Sequence, residues 1–234
     1  MFDYSALEDA VVSAVGPLRL IAVSYLSAAP QGVRKFSGSV PSGCTFWSLA
    51  ATGEGFYTVP ADHLNCPIGS YTHGIELPAE RAHELERTLS LMAGIGYVKM
   101  EEVASIPRLP QAPAFIYYAP LDKAAVAPDV LIAAGKPGPL MRLQEAAARA
   151  GAASTLPLLG QPTCMALPAA MAHGSVTSAG CIGNRVYTSL GDDELYLMIP
   201  GPRLADVVRE LAVIASANDT LQQYHQQRRA TLTS

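Results

Sequence analysis

Charge is scarce in this chain: only 15% of its 234 residues are Asp, Glu, Lys or Arg, against about 25% in an ordinary soluble domain. With a mean hydropathy of +0.21, so thin a charged surface implies a large core, a buried site or a subunit interface, and a homo-oligomer is among the expectations. Basic residues are few and scattered apart from Arg228-Arg229 near the end, 16 against 20 acidic ones for a net charge of −4. Phosphate backbones are held by clustered Lys and Arg, so nucleic acid is excluded as a main partner. Long apolar runs are absent as well: Gly, Pro and polar residues interrupt every window of 18, so no membrane partner is expected. The start, MFDYSALEDA, has acidic residues and no basic stretch, so no secretory signal is expected and the simplest localisation is cytoplasmic.

Several chemical signatures are missing too. There is no G-x-S-x-G elbow and no H-E-x-x-H. The segment Gly135-Lys136-Pro137-Gly138-Pro139 lacks the P-loop order, and its prolines remove two N–H donors, so it reads as a plain loop. No two cysteines stand close enough for a C-x-x-C redox pair or a C-x₂₋₄-C zinc knuckle.

What the chain does have is four cysteines in two similar settings. Cys44 and Cys66 are 22 positions apart, and Cys164 and Cys181 are 17 apart. Cys66-Pro67-Ile68-Gly69 leads into Tyr71-Thr72, and Cys181-Ile182-Gly183 leads into Tyr187-Thr188. Segments 77–93 and 199–215 superpose without a gap at an offset of 122, matching Pro78 with Pro200, Arg81 with Arg203 and Leu89 with Leu211. The expected fold is α+β: a single unit over 1–234 built from two pseudo-repeated halves, about 15–94 and 113–216, with mixed or antiparallel sheets and flanking helices. Strands are expected at 18–26, 55–60, 114–120 and 129–135. A further strand pair, RVYTSL and ELYLMIP, is expected to turn at Gly191-Asp192-Asp193. Ser5-Ala6-Leu7-Glu8 has capping-box form, and a polar helix at about 218–229, capped by Asn218-Asp219, is expected after the helix at 202–216.

In a reducing compartment cysteines serve as ligands, nucleophiles or inert core rather than as disulfides. Cys is also among the most buried residue types, so any one thiol taken alone is more often core than site. The matched placement favours the set as a centre. Four thiolates from distant segments suit an iron–sulfur cluster first, with thiol chemistry second and zinc third. The metal ligands are then Cys44, Cys66, Cys164 and Cys181, the partner a small-molecule ligand or a redox protein. Around them, Trp47 beside Cys44 is expected to wall a pocket, or simply to pack in the core. His63, three residues before Cys66, is a candidate ligand or proton donor with Asp62 to orient it, or a solvated turn histidine. Arg185 would hold an anion beside the thiols, or pair with Asp192 or Glu194. The rival function is a non-enzymatic sensor or small-molecule domain, including one for a tetrapyrrole, with one reactive thiol.

Gly43-Cys44-Thr45-Phe46-Trp47, Phe56-Tyr57-Thr58 and Asp62-His63-Leu64-Asn65-Cys66-Pro67-Ile68-Gly69, together with Pro162-Thr163-Cys164 and Ser178-Ala179-Gly180-Cys181-Ile182-Gly183-Asn184-Arg185, resemble the DUF169 family of uncharacterised bacterial and archaeal proteins. The resemblance runs from about residue 15 to 215. It implies one folded unit and sets Cys44, Cys66 and Cys181 on the family's cysteine-bearing motifs, without implying an activity.

Overall fold

A computed structural model of the chain describes residues 3–156 and 159–232. Its frame is one seven-stranded sheet of β1 (Arg19–Leu26), β2 (Arg34–Lys35), β3 (Phe56–Thr58), β4 (Phe115–Pro120), β5 (Val130–Gly135), β6 (Val176–Ser178) and β7 (Leu195–Pro200). The spatial order is β2-β3-β4-β1-β5-β7-β6. Neighbours are antiparallel except β2 and β3, so the sheet is mixed. At its centre Ala22 lies between Ala119 of β4 and Leu131 of β5.

The central strands read as nearly continuous apolar runs because helices cover both faces of the sheet. Side chains alternate between faces along a strand. Leu20, Ala22, Leu131, Ala133, Leu197 and Ile199 point to one core. That core is closed by α1 (Tyr4–Val15), α6 (Pro137–Arg149) and α9 (Leu204–Leu232), with α9 packed on α6 and α1. Ile21, Val23, Ile116, Tyr118, Ile132 and Met198 point to the other core. There they meet α2 (Thr45–Thr52) and α7 (Ala166–His173), through Phe46, Trp47, Ala166 and Leu167. The remaining α-helices among the described residues are α3 (Pro67–Thr72), α4 (Ala82–Gly94), α5 (Met100–Val103) and α8 (Ile182–Tyr187). Cys44 and Cys164 are part of this second core. No helix among the described residues is long and apolar enough to cross a membrane.

The α+β class and the mixed sheet match the sequence reading, but several elements differ. RVYTSL is not a strand. Residues 182–187 form α8, with Val186 and Tyr187 exposed, and the strand beside β7 is β6, from residues 176–178. The alternating pattern had no sheet face to meet, and the Gly191 region joins a helix to a strand. The GKPGP segment is not a loop but the entry to α6: Lys136 is its N-cap and Pro137 begins its first turn, where a fixed φ and a missing N–H cost nothing. Asp3, not Ser5, caps α1, accepting the Ala6 N–H at 3.0 Å. Asn218-Asp219 caps nothing, because α9 runs unbroken to Leu232. Asn218 instead reaches Glu145 at 2.8 Å and the Ile214 carbonyl at 3.0 Å.

The two superposed segments do share a local form, a 3₁₀ turn at Ala79–Arg81 or Gly201–Arg203 followed at once by a helix. They differ in what they do. The second helix buries Leu204, Val207 and Leu211, while no residue of α4 is fully buried. The sheet does not divide at the 95–112 connection either, since β4 lies between β3 and β1 rather than with the later strands.

Candidate site: a cavity walled by four thiols

Each cysteine stands at the start of a helix. Cys44, Cys66 and Cys181 are the N-cap residues of α2, α3 and α8, and Cys164 lies in the 3₁₀ turn Thr163–Met165 that opens into α7. The local reasons lie in the sequence. Pro67 at the first position of α3 fixes the backbone for helix entry. In α8 the Cys181 sulfur takes the place of a capping oxygen, accepting the Asn184 N–H at 3.4 Å. The buried Thr163 hydroxyl holds the Cys181 N–H, tying the segment of Cys164 to that of Cys181.

All four cysteines line one cavity of about 360 Å³, within the range of small-molecule sites. Its remaining wall comes from α3, α4, α8 and the connections near 97–106 and 161–162, with Ile68, Leu89, Met92, Ile106 and Ile182 among the apolar residues. No charged residue is among the described residues that line it.

Burial pushes the Cys44 thiol well above its ordinary value of 9.0, and Cys164, Cys66 and Cys181 add to the rise while the Asn184 amide opposes it. Burial also raises Cys66, offset in part by the backbone N–H groups of Gly43 and Gly69 that face its sulfur. Burial raises Cys164, with Cys66 the next cause. The thiols are therefore close enough to feel one another's charge. No disulfide joins any of them, and among the described residues no three His, Cys, Asp or Glu side chains gather closely enough to hold a single metal ion.

The other expected site residues lie elsewhere. Trp47 is in the core, edge-on to Tyr196 with ring centres 5.4 Å apart, and does not line the cavity. His63 is neither a cavity residue nor a solvated turn histidine: it is 3% exposed, with Nε2 at 2.8 Å from the Thr58 hydroxyl. Its ring lies against Phe46, His73 and Tyr118. Burial lowers its pKa from 6.5 to about 3, helped by neighbouring His73, so it is a neutral core residue. Asp62 does not orient it, accepting the Val59 N–H at 2.8 Å instead. His63 supports the site only through its carbonyl, which takes the Cys66 N–H and the Ser70 hydroxyl, each at 3.0 Å.

Arg185 is likewise committed to structure. It donates to the carbonyls of Gly191 at 2.8 Å, Ala179 at 2.6 Å and Glu194 at 3.1 Å, and lies 3.8 Å from Asp192. It clamps the loops on either side of α8 and does not face the cavity. Two residues that sequence reasoning passed over do belong to the site. Gly69 leaves room for the Cys66 sulfur, and Asn184 sets a buried amide in the cavity wall. Their signal was position: each stands three residues after a cysteine at a helix start, where the N–H turns back on the capping atom.

No curated protein and no solved structure matches this chain. The family described as "Uncharacterised ArCR", DUF169, matches residues 18–210, a span that includes all four cysteines and the whole cavity wall. The chain belongs to the DUF169 family.

Proposed function

We propose that Cys44, Cys66, Cys164 and Cys181 together hold an iron–sulfur cluster, and that the protein serves redox or small-molecule chemistry beside it in a reducing, cytoplasmic setting. The observation that carries this reading is the convergence of every cysteine in the chain on one cavity. A tetrahedral zinc ion with Zn–S bonds of about 2.3 Å would require sulfurs within ~4 Å of one another, and the described residues hold no such group. The corners of a cubane lie wider apart, roughly 6–7 Å between ligand sulfurs, which suits thiols spread around a cavity wall. Backbone N–H groups at Gly43, Gly69 and Asn184 face the sulfurs of Cys66 and Cys181. Such donors stabilise thiolate ligands and tune a cluster's potential.

Anaerobic purification and reconstitution test this reading by absorption spectra and by iron and acid-labile sulfide per chain. Cluster absorption that declines in each Cys→Ser variant is the expected result. A colourless chain that takes up no iron after reconstitution sinks it.

The second reading, a small-molecule domain without metal, draws on the uncharged apolar wall of the same cavity. Its reactive-thiol form is the weaker one, because the raised values of Cys44, Cys66 and Cys164 hold those thiols protonated at neutral pH. Its tetrapyrrole form loses His63 as an axial group, since that ring is used by Thr58 and the core.

A further inference from the structure

The last helix, α9, outruns the body it packs on. Its first turns bury Leu204, Val207 and Leu211 on the side of α6 and α1. Asn218 and Asp219 still reach Glu145 and Arg142 of α6, at 2.8 and 3.7 Å. From residue 219 to residue 232, however, every position is exposed. A helix of that length is marginal in water when no tertiary packing supports it. The sequence there gives little support of its own, with no acid–base pair at helical spacing after residue 218.

This half of α9 is not evenly polar. Val213, Ala217, Leu221, Tyr224, Arg228 and Leu232 follow one another at spacings of 4, 4, 3, 4 and 4 residues, which sets them within about 100° of arc. Val213, Leu221, Tyr224 and Leu232 are each more than half exposed. A repeat of 11 residues drifts little around a straight helix, so the stripe runs along the whole exposed half.

The stripe is complementary to itself about a two-fold axis between residues 222 and 223. Antiparallel pairing sets Val213 against Leu232, Leu221 against Tyr224 and small Ala217 against long Arg228, each pair occurring twice as an isologous contact requires. It also holds the two Arg228 side chains about 16 Å apart along the axis. Parallel pairing would face arginine with arginine, with no acidic residue after Asp219 to offset them. From Val213 to Leu232 the helix is about 30 Å long, enough for a pair to bury on the order of 1,000 Å², the size a specific interface needs.

We infer that the exposed half of α9 is the interface with a second copy of this chain, joined as an antiparallel two-fold helix pair. The surface is independent of the cysteine cavity. The helix closes the core on the face of the sheet opposite to Cys44 and Cys164, and residues 211–232 lie beyond the span matched to the DUF169 family.

Sedimentation equilibrium of the full chain tests it. The wild type is expected to be mostly dimeric at about 50 µM, as suits a small interface of micromolar affinity. Leu221→Glu/Tyr224→Glu, which brings four carboxylates to the axis, is expected to weaken dimerisation at least about a hundredfold. Gln223→Glu/Gln226→Glu adds the same charge on the far side of the helix and is expected to remain dimeric. Oxidative cross-linking reads the orientation. Val213→Cys chains mixed with Leu232→Cys chains are expected to give a cross-linked heterodimer, while Leu232→Cys chains alone cross-link no more than the wild type. The inference is overturned by a monomeric wild type at that concentration, by a Leu221→Glu/Tyr224→Glu variant that still dimerises, or by a Gln223→Glu/Gln226→Glu variant that does not. It is equally overturned if Leu232→Cys chains cross-link to one another as readily as to Val213→Cys chains. The wild-type sedimentation and the cross-linking decide the matter even if a charged variant fails to fold.

Discussion

Gly69 and the sulfur of Cys66 are packed so that no side chain fits between them: a Cβ on Gly69 would lie 2.8 Å from Sγ and 3.4 Å from Cys66 Cβ. The glycine N–H also faces that sulfur and lowers the cost of its ionised form. A methyl group here must displace either the thiol or the first turn of α3. Gly69→Ala is therefore expected to cost about 1–3 kcal/mol and to reduce cluster incorporation. Gly183, which lines the cavity, has open space around its missing Cβ. Gly183→Ala is expected to be neutral or to stabilise α8 by up to about 1 kcal/mol. Urea denaturation and iron content of the two variants check the contrast. Equal behaviour would remove Gly69 from the site.

The buried thiols set an upper pH limit for the metal-free chain. Cys44, Cys66 and Cys164 are raised above 9.0 in the folded state, whereas the same thiols in an unfolded chain ionise near 8.5. Above that value the unfolded chain binds fewer protons than the folded one, so stability falls with rising pH. The stabilisation is complete below the unfolded value and is lost as pH climbs toward the folded ones. Denaturation midpoints between pH 7.5 and 10.5 are expected to drop for the wild-type chain and to drop less for Cys44→Ala. An identical fall in both would show that Cys44 does not contribute.

Metal uptake runs in the opposite sense. Ligation must displace the thiol protons, so apparent affinity rises with pH below the thiol values and protons are released on binding. Reconstitution at pH 7.0 and 8.5, with proton release measured in weak buffer, is expected to give more cluster at the higher pH. Uptake without proton release would mean that the thiols are not the ligands.

His63 produces the opposite limit at low pH. Its folded value is lowered from 6.5 to about 3, and burial also lowers that of neighbouring His73. Below 6.5 the unfolded chain takes up protons that the folded one refuses, so stability present above 6.5 is lost as pH falls toward 3. His63→Phe, which gives up the Thr58 bond, is expected to be less stable than wild type at pH 7.5 but to lose less on going to pH 5.0. Parallel pH profiles for the two proteins would exclude His63 as a source of acid sensitivity.

Arg185 tests the clamp around α8. Removing its guanidinium takes a donor from the carbonyls of Ala179, Gly191 and Glu194, of which Gly191 keeps the Glu194 N–H at 3.0 Å. Arg185→Ala is expected to cost about 2 kcal/mol in urea denaturation. Arg185→Lys is expected to recover little, because a single ammonium cannot follow the planar fork. Full recovery by lysine would reduce the clamp to simple charge.

The sequence by itself determined the central strands and the α+β class, because local apolar runs and punctuating Gly and Pro residues report directly on short-range structure. It also drew attention to the four cysteines, through the repeated residues around them. Other features were beyond its reach. RVYTSL alternates like a strand, yet its first three residues end α8, since the Cys181 cap and the Arg185 bonds to carbonyls on either side of the helix outweigh a weak local preference. His63 and Trp47 lie near cysteines in the chain but point into the core, a direction set by β3 and Tyr196 rather than by their neighbours. That four cysteines, spread over the 137 positions from Cys44 to Cys181, line one cavity was decided only by the tertiary structure. The sheet order sets where each helix begins, and burial among the other thiols, not sequence spacing, sets their chemistry.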